Sequence, residues 1–326
     1  NRLFNNTVPR CYDGAHLNFE SLAIYTPYDT QKNAVYRNLQ QNGGINDHIV
    51  GAGKTLVMAI SAHEMKRLGV ANKPLIIAKN ANVSAIYREF ILAFPKAKVL
   101  HPEPKDFKPK NRRLLFQRIM NNDWDSVIIS HEQFKMIPQS REVQGHIIGQ
   151  ELEALESDLA TLNAQEKTRA STRQLKGLEK RKDNMKAQLN ELEASIIRDP
   201  YLMDFEKMGF DHLFVDESQE FKNLLYTTRH SQVSGLGTPK GSQRAFNLLL
   251  ACRTIQGQLG NVDKGITFLS GTTISNSLVE LYLLFKYLRP NALERLQIRS
   301  FDAWAKVYAR KSYEFEFGIT NEVKRK

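Results

Sequence analysis

Short apolar runs alternate with longer amphipathic stretches along most of this chain. Pro74-Leu75-Ile76-Ile77-Ala78, Val127-Ile128-Ile129-Ser130, His212-Leu213-Phe214-Val215 and Ile266-Thr267-Phe268-Leu269 are compact blocks with almost no polar interruption. Runs this short and this apolar are predicted as parallel strands buried on both faces. Val99-Leu100 is a weaker strand, and His48-Ile49-Val50 reads as the end of another. Between the strands lie predicted helices. One follows Pro27, with Ala34, Val35 and Leu39 on its apolar side and Asp29 or Thr30 as its N-cap. Others cover 56–60, 86–94, a basic amphipathic stretch at 112–120, 245–255, and the strongly apolar 278–288, which ends at Arg289-Pro290. This alternation predicts an α/β fold with one parallel sheet covered by helices on both faces. Residues 1–26 read as an irregular lead-in.

The pattern changes between Phe134 and Tyr201, where no aromatic residue occurs and charges of both signs are dense. Ile148, Leu152, Leu155, Leu159 and Leu162 alternate steps of four and three. So do Leu175, Leu178, Met185, Leu189, Leu192 and Ile196, with Lys182 filling one seam position. Such a repeat predicts a two-stranded coiled coil. The polar stretch 164–172 breaks it, so 139–199 is expected to be an antiparallel helical hairpin inserted in the α/β domain. It could serve as a lever, a partner-docking arm or a solvated spacer.

The chain has 326 residues, 41% hydrophobic and 25% charged, a composition of folded domains and enough for one large domain or two ordinary ones. No apolar run is long enough to cross a bilayer, and no membrane partner is expected. The first residue is Asn1, which leads us to expect a piece of a longer protein. A net charge of +11 and a pI near 9.5 favour a polyanionic partner, nucleic acid before anionic lipid, although many basic proteins bind neither. Cys11 and Cys252 are far apart and form no pattern, which suits a reducing, cytoplasmic location. The histidines are scattered, with no Cys/His cluster at zinc spacing.

The candidate chemistry begins at Gly51-Ala52-Gly53-Lys54-Thr55. A glycine-rich turn between a strand and a helix aims several backbone N–H groups at one point, where the helix dipole adds positive potential for a phosphate. Lys54 would reach the β/γ-phosphates of ATP, and the Thr55 hydroxyl would ligate Mg²⁺. A side chain at Gly51 or Gly53 would block close approach. The full phosphate-loop pattern asks for a glycine where His48 stands, so a ligand-free glycine-rich helix start remains open on this stretch alone. Upstream, Gln31 could read adenine through its paired amide donor and acceptor, and Tyr28 could stack on the base.

Downstream, the strand at 212–215 runs into Asp216-Glu217-Ser218-Gln219. One carboxylate is expected to hold Mg²⁺ through water and the other to polarise the attacking water. Loops at strand ends carry further candidates. Lys79, Asn80 and Asn82 follow the second strand, and His131 follows the fourth. Arg229, Lys240 and Arg244 lie in a stretch rich in Gly, Ser and Thr that suits a phosphate-touching loop, though a plain surface loop has the same composition. Ser270, Gly271 and Thr272 form a hydroxyl-rich turn that could sense the γ-phosphate and relay its state.

Taken in order, GAGKT, DESQ and SGTTISNSLVELYLLFKYLRP resemble the first motor lobe of superfamily 2 helicases, and within them the SWI/SNF (chromatin-remodeller) branch. VDESQEFKN looks like motif II of that branch, TPYDTQKNAV is similar to the Q motif, LIIAKNANVSAIYREF to motif Ia, and VIISHEQF occupies the place of motif Ib. The stretches MKRLG, GLEKR and TTRHSQVSGLG also resemble the helicase part of phage and mobile-element helicase–DNA-methylase fusions. The resemblance implies a RecA-like lobe at 27–138 and 200–290, with 291–326 leading to a second lobe. It implies ATP and Mg²⁺ as ligands, double-stranded DNA as partner, and a DNA methylase domain as a further one. Asp216 would ligate Mg²⁺, Glu217 would be the general base and Lys54 would complete the catalytic set. His48, Ile49, Thr273 and the Ser-Gln of DESQ depart from the family pattern without removing a group that phosphate chemistry needs. Arginine fingers from a second lobe are missing, so this segment is expected to bind nucleotide weakly and to hydrolyse it very slowly.

Two other readings share part of this pattern. A chromosome-clamp ATPase also places a coiled coil between phosphate loop and acid pair, but no LSGG-type signature precedes the acidic strand. A nucleotide-sensing DNA scaffold would share the binding residues and lack turnover.

Overall fold

The computed structural model describes residues 10–163, 169–198, 203–226, 228, 241–274, 277–298, 300–309, 315–317 and 323–325. Its strands are β1 (Gly43–Asp47), β2 (Pro74–Ala78), β3 (Val99–Leu100), β4 (Ser126–Ser130), β5 (His212–Asp216) and β6 (Ile266–Ser270). They form one six-stranded sheet in the order β1-β6-β5-β2-β4-β3 with every neighbouring pair parallel. The helices are α1 (Asp29–Gln41), α2 (Lys54–Arg67), α3 (Asn80–Ala93), α4 (Pro109–Asn121), α5 (His131–Phe134), α6 (Arg141–Asn163), α7 (Arg169–Arg198), α8 (Gln243–Gln258), α9 (Leu278–Leu288), α10 (Pro290–Arg295) and α11 (Phe301–Tyr308). Near the C-terminus β7 (Phe315–Phe317) and β8 (Val323–Arg325) form a separate antiparallel pair. No helix among the described residues is long and apolar enough to cross a membrane.

The four apolar runs are buried along nearly their whole length because the sheet is covered twice. Alternate residues of each strand enter different cores, as the two-residue pleat requires. Ile76, Ile128, Phe214 and Leu269 pack with α1, α2 and α3. Leu75, Ile77, Val127, Ile129, Leu213 and Val215 pack with α4, α8, α9 and α11. Residues 10–26 contain no helix or strand, as expected, yet they are not free of the core. Phe19 is buried beside α1 to α3, and Ala23 N–H donates to the Ala93 carbonyl at 2.8 Å.

One strand lies earlier than the hydrophobic pattern predicts. The expected strand end His48-Ile49-Val50 is loop, with Ile49 and Val50 79% and 88% exposed. The strand is Gly43–Asp47, paired in register with β6. It sits at the edge of the sheet, with a neighbour on one side only, so its five residues are not all buried and its sequence GGIND has no apolar run. Apolarity alone does not reveal such a strand.

The stretch expected to form the inserted hairpin holds two long helices, α6 and α7, which pack against each other. Ile148, Leu155, Leu159 and Met185 are buried, and Leu152, Leu175, Leu178, Lys182 and Leu189 are half-buried. Glu156 on α6 pairs with Lys182 at 3.0 Å and Lys186 at 3.4 Å on α7. The side chains of Leu162, Leu192 and Ile196 lie outside the described residues. The hairpin does not stand clear of the lobe. Ile147 joins the core, Lys286 of α9 donates to Glu151 of α6 at 2.5 Å, and Arg181 of α7 donates to the Tyr226 carbonyl at 3.1 Å.

Candidate functional site

A parallel sheet brings all strand C-termini to one edge, where the connecting loops can meet. After β1 the chain turns through 48–53 and enters α2 at Lys54. Gly53 takes the N-cap place with φ +75°, and no side chain caps the first turn, so the leading amides of α2 are free to bind an anion. Gly51, at φ +88°, has open space where a side chain would stand. The Lys54 ammonium is folded into its own loop, donating to the His48 carbonyl at 2.8 Å and the Ile49 carbonyl at 3.1 Å. Thr55 lies in the first turn of α2, half-buried.

Gln31 faces this loop from α1 and is only 6% exposed. Its Oε1 accepts the Tyr28 N–H at 2.9 Å, and its Nε2 donates to the Ala52 carbonyl at 3.2 Å. The N-cap is therefore Tyr28 rather than Asp29 or Thr30, because the Gln31 side chain satisfies that position's amide. A Cβ on Gly53 would collide with the Gln31 amide. The Tyr28 ring is exposed.

The acid pair sits on the same edge, separated from β1 by β6 alone. Asp216 ends β5. Burial pushes its carboxyl above the usual range, the Asn82 amide 3.5 Å away counteracts this, and the Glu217 charge adds to it. Glu217 adopts a left-handed backbone, φ 54° and ψ 48°, unusual for a non-glycine residue. Gln219 links it to the next strand: its Nε2 donates to Glu217 Oε2, and its Oε1 accepts from Ser270 Oγ at 2.7 Å. Ser270 Oγ also accepts the Thr272 N–H at 3.0 Å, and Thr273 Oγ1 donates to Asp47 Oδ1 at 2.7 Å. Gly271 runs so close to the loop that a Cβ there would stand 3.6 Å from Lys54 Nζ. The end of β6 and the turn after it thus lie against the glycine loop and reach the acid pair through Gln219.

The candidates for nucleic acid gather on the other side of the acid pair. Lys79 is the N-cap residue of α3, and Asn80 and Asn82 form its first turn rather than a loop. Asn80 is exposed, whereas Asn82 turns its amide to Asp216. His131 is buried, with Nε2 donating to the Asp216 carbonyl at 3.0 Å and its ring edge against Phe221; burial lowers its pKa. Arg244 belongs to the first turn of α8, not to the preceding loop, because Ser242 caps that helix through the Ala245 N–H. Arg229 and Lys240 lie outside the described residues.

Sequence reasoning missed Gln219 and Thr273 as connectors, and Glu220, whose carboxylate meets both Lys79 and Arg244. All three are common polar letters whose importance depends on which strand ends are neighbours. Among the described residues, no group of three or more His, Cys, Asp or Glu could hold a metal ion. A magnesium ion carried by phosphates asks less of the protein, typically one or two carboxylates with a hydroxyl and water. Asp216 and Thr55 are donors of those types, and the space beside Gly51 is open.

Solved structures with related folds include the Sulfolobus solfataricus SWI2/SNF2 ATPase core in complex with double-stranded DNA, 14% identical with a TM-score of 0.46, covering 89% of this chain and 41% of that one. They also include the UvsW helicase from bacteriophage T4, 13% identical with a TM-score of 0.38, covering 83% of this chain and 62% of that one. This chain spans less than two thirds of either protein. A search of curated proteins finds no match. The family profile described as "Probable helicase domain" matches residues 36–326, nearly the whole chain. With its glycine loop, acid pair and hydroxyl turn on one sheet edge, the chain belongs to this probable helicase domain family.

Proposed function

We propose that this chain is the ATP-binding first lobe of a DNA-dependent ATPase of the SWI/SNF-like type, which hydrolyses ATP to ADP and phosphate when a second lobe closes on it. The observation that carries the reading is the position of Lys54 and the Asp216–Glu217 pair on one sheet edge with only β6 between them. In this reading the amides of 51–55 and the Lys54 ammonium hold the phosphates, after Lys54 exchanges its two carbonyl partners for phosphate oxygens. Thr55 and Asp216 hold Mg²⁺, which neutralises phosphate charge when bound. Glu217 accepts the proton of the attacking water, oriented by the Gln219 amide. Tyr28 offers a stacking face to adenine, and Gln31 fixes the loop and the base edge together. Ser270, Gly271 and Thr272 respond to the γ-phosphate and pass its state to Glu217 through Gln219.

Lys79, Asn80 and Arg244 lie along the path we assign to double-stranded DNA, with His131 buried and Asn82 against Asp216 behind them; Arg229 and Lys240, outside the described residues, are assigned to it from the sequence alone. Residues 27–138 and 200–290 make the lobe, 139–199 an insertion, and 291–326 the approach to the second lobe. The narrower resemblance adds a DNA methylase domain elsewhere in the full protein.

Titration with a fluorescent ATP analogue and Mg²⁺ tests the site. Lys54→Ala and Asp216→Asn should each weaken binding about tenfold or more, since each removes a charged partner of the bound nucleotide. In a longer chain that includes the second lobe, Glu217→Gln should bind ATP and stop turning over. Binding by Lys54→Ala and Asp216→Asn equal to that of the unaltered chain would end the reading.

A further inference from the structure

Next to the acid pair, one carboxylate holds two cations from different helices. Glu220 Oε1 accepts from Lys79 Nζ at 3.0 Å, and Oε2 accepts from Arg244 Nη2 at 3.0 Å. Arg244 is fixed further by the Glu220 carbonyl at 2.9 Å and by the Phe221 ring 5.4 Å below its guanidinium. The side chains of Lys79, Glu220 and Arg244 are 41%, 35% and 27% exposed, so solvent or a ligand can reach the group.

The cations stand where helices ordinarily avoid them. Lys79 is the N-cap of α3 and Arg244 lies in the first turn of α8. Helix N-termini carry partial positive charge, and cations there are unfavourable. Two helices thus aim their positive ends and a cation each at the same place; Glu220 is the carboxylate that bonds both, while Asp216 and Glu217 act on Lys79, and Glu132 on Arg244, through their charge alone. That concentration of charge serves little purpose for folding, since half-exposed ion pairs contribute little stability. It suits an anion with two or more oxygens, and the Arg244 fork matches phosphate geometry.

We infer that Lys79 and Arg244 form a subsite for one backbone phosphate of DNA, and that Glu220 fills it as an internal substitute which DNA must displace. The inference rests on the DNA-binding reading above and adds regulation to it. The Glu220 N–H donates to the Glu217 carbonyl at 3.0 Å, so the turn that releases Glu220 also carries the general base. Arrival of DNA at the subsite therefore bears directly on the acid pair.

A short fluorescent DNA duplex, titrated by anisotropy at several salt concentrations, provides the test on the whole chain. Glu220→Gln and Glu220→Ala should bind the duplex roughly threefold to tenfold more tightly, because the competitor is gone. Adding Lys79→Ala or Arg244→Gln to Glu220→Gln should cancel that gain and reduce the slope of log affinity against log salt by about one. Lys79→Ala and Arg244→Gln alone, which leave Glu220 in place, should each weaken duplex binding; unchanged binding in both overturns the inference even if the Glu220 variants fold poorly. Thermal melts report folding. Folded Glu220 variants that bind duplex no better than the unaltered chain also overturn it, while leaving the DNA-binding reading intact. If the unaltered chain and every variant ignore the duplex, the DNA-binding reading falls and this inference falls with it.

Discussion

His212 opens β5 and is fully buried. Its Nδ1 lies 2.9 Å from Asn42 Oδ1 and its Nε2 2.9 Å from Thr267 Oγ1, so the neutral ring ties β5 to β6 and to the turn before β1. Burial lowers its pKa from the ordinary 6.5 to about 3. In the unfolded chain the ring takes up a proton below about pH 6.5, whereas the folded protein resists protonation until near pH 3. Stability from this group is therefore complete above 6.5 and is lost as pH falls towards 3. At about pH 5 the difference is close to one and a half pH units at about 1.4 kcal/mol each, or about 2 kcal/mol. Urea unfolding at about pH 7.5 and about pH 5 would compare the unaltered chain with His212→Gln, whose amide can still donate and accept. The variant should be less stable at the higher pH, yet its loss on acidification should be smaller by about 2 kcal/mol. Carboxylates, His131 and His48 are present in both proteins and cancel. Equal acid losses in the two proteins would refute the burial-based account of His212.

Three further outcomes follow from contacts at the site and the hairpin. Gly53→Ala must accept a left-handed backbone and push the Gln31 amide aside; the loop should lose nucleotide affinity by about tenfold or more, with a melting temperature a few degrees lower at about 1–2 kcal/mol. Gln31→Ala removes the tie between α1 and the loop and should cost about 1–2 kcal/mol in denaturant unfolding, with a matching fall in fluorescent-nucleotide binding. Lys286→Met removes the cation that touches Glu151, whose side chain is 14% exposed, while Arg181 and Arg253 still act on that carboxylate; the loss should be about 1–3 kcal/mol, and Glu151→Leu, which takes the counter-charge from both buried guanidinium groups, should cost as much or more. A Glu151→Leu chain as stable as the unaltered one would argue against a buried charge network where α6 meets the lobe.

Much of the fold was legible as letters. The blocks at 74–78, 127–130, 212–215 and 266–269 became strands within a residue because a strand covered on both faces is mostly apolar, its few polar side chains, such as His212 and Thr267, being paired inside. Helix α9 lies on the stretch 278–288 expected for it, since its apolar side chains, the Ser277 cap and Arg289-Pro290 all mark the same ends. The α6–α7 pair follows from a local repeat. The chemical types that the proposed function assigns to phosphate and metal, at 51–55 and 216–217, were also visible, because glycine, lysine and paired acids are rare in that order.

What the letters left open depends on neighbours. Strand order is not written in any strand, so nothing local says that β6 separates β1 from β5, or that Ser270 and Thr273 can therefore touch Gln219 and Asp47. Edge strand β1 has no apolar run because it lacks a second neighbour to bury it. Lys79 and Arg244 read as free cations in loops until helix packing brings both to Glu220. Sequence by itself determined which segments fold locally and which chemical groups are available. Only the tertiary structure decided which groups share a site, because distances between remote segments are set by the packing of the whole sheet rather than by any stretch of it.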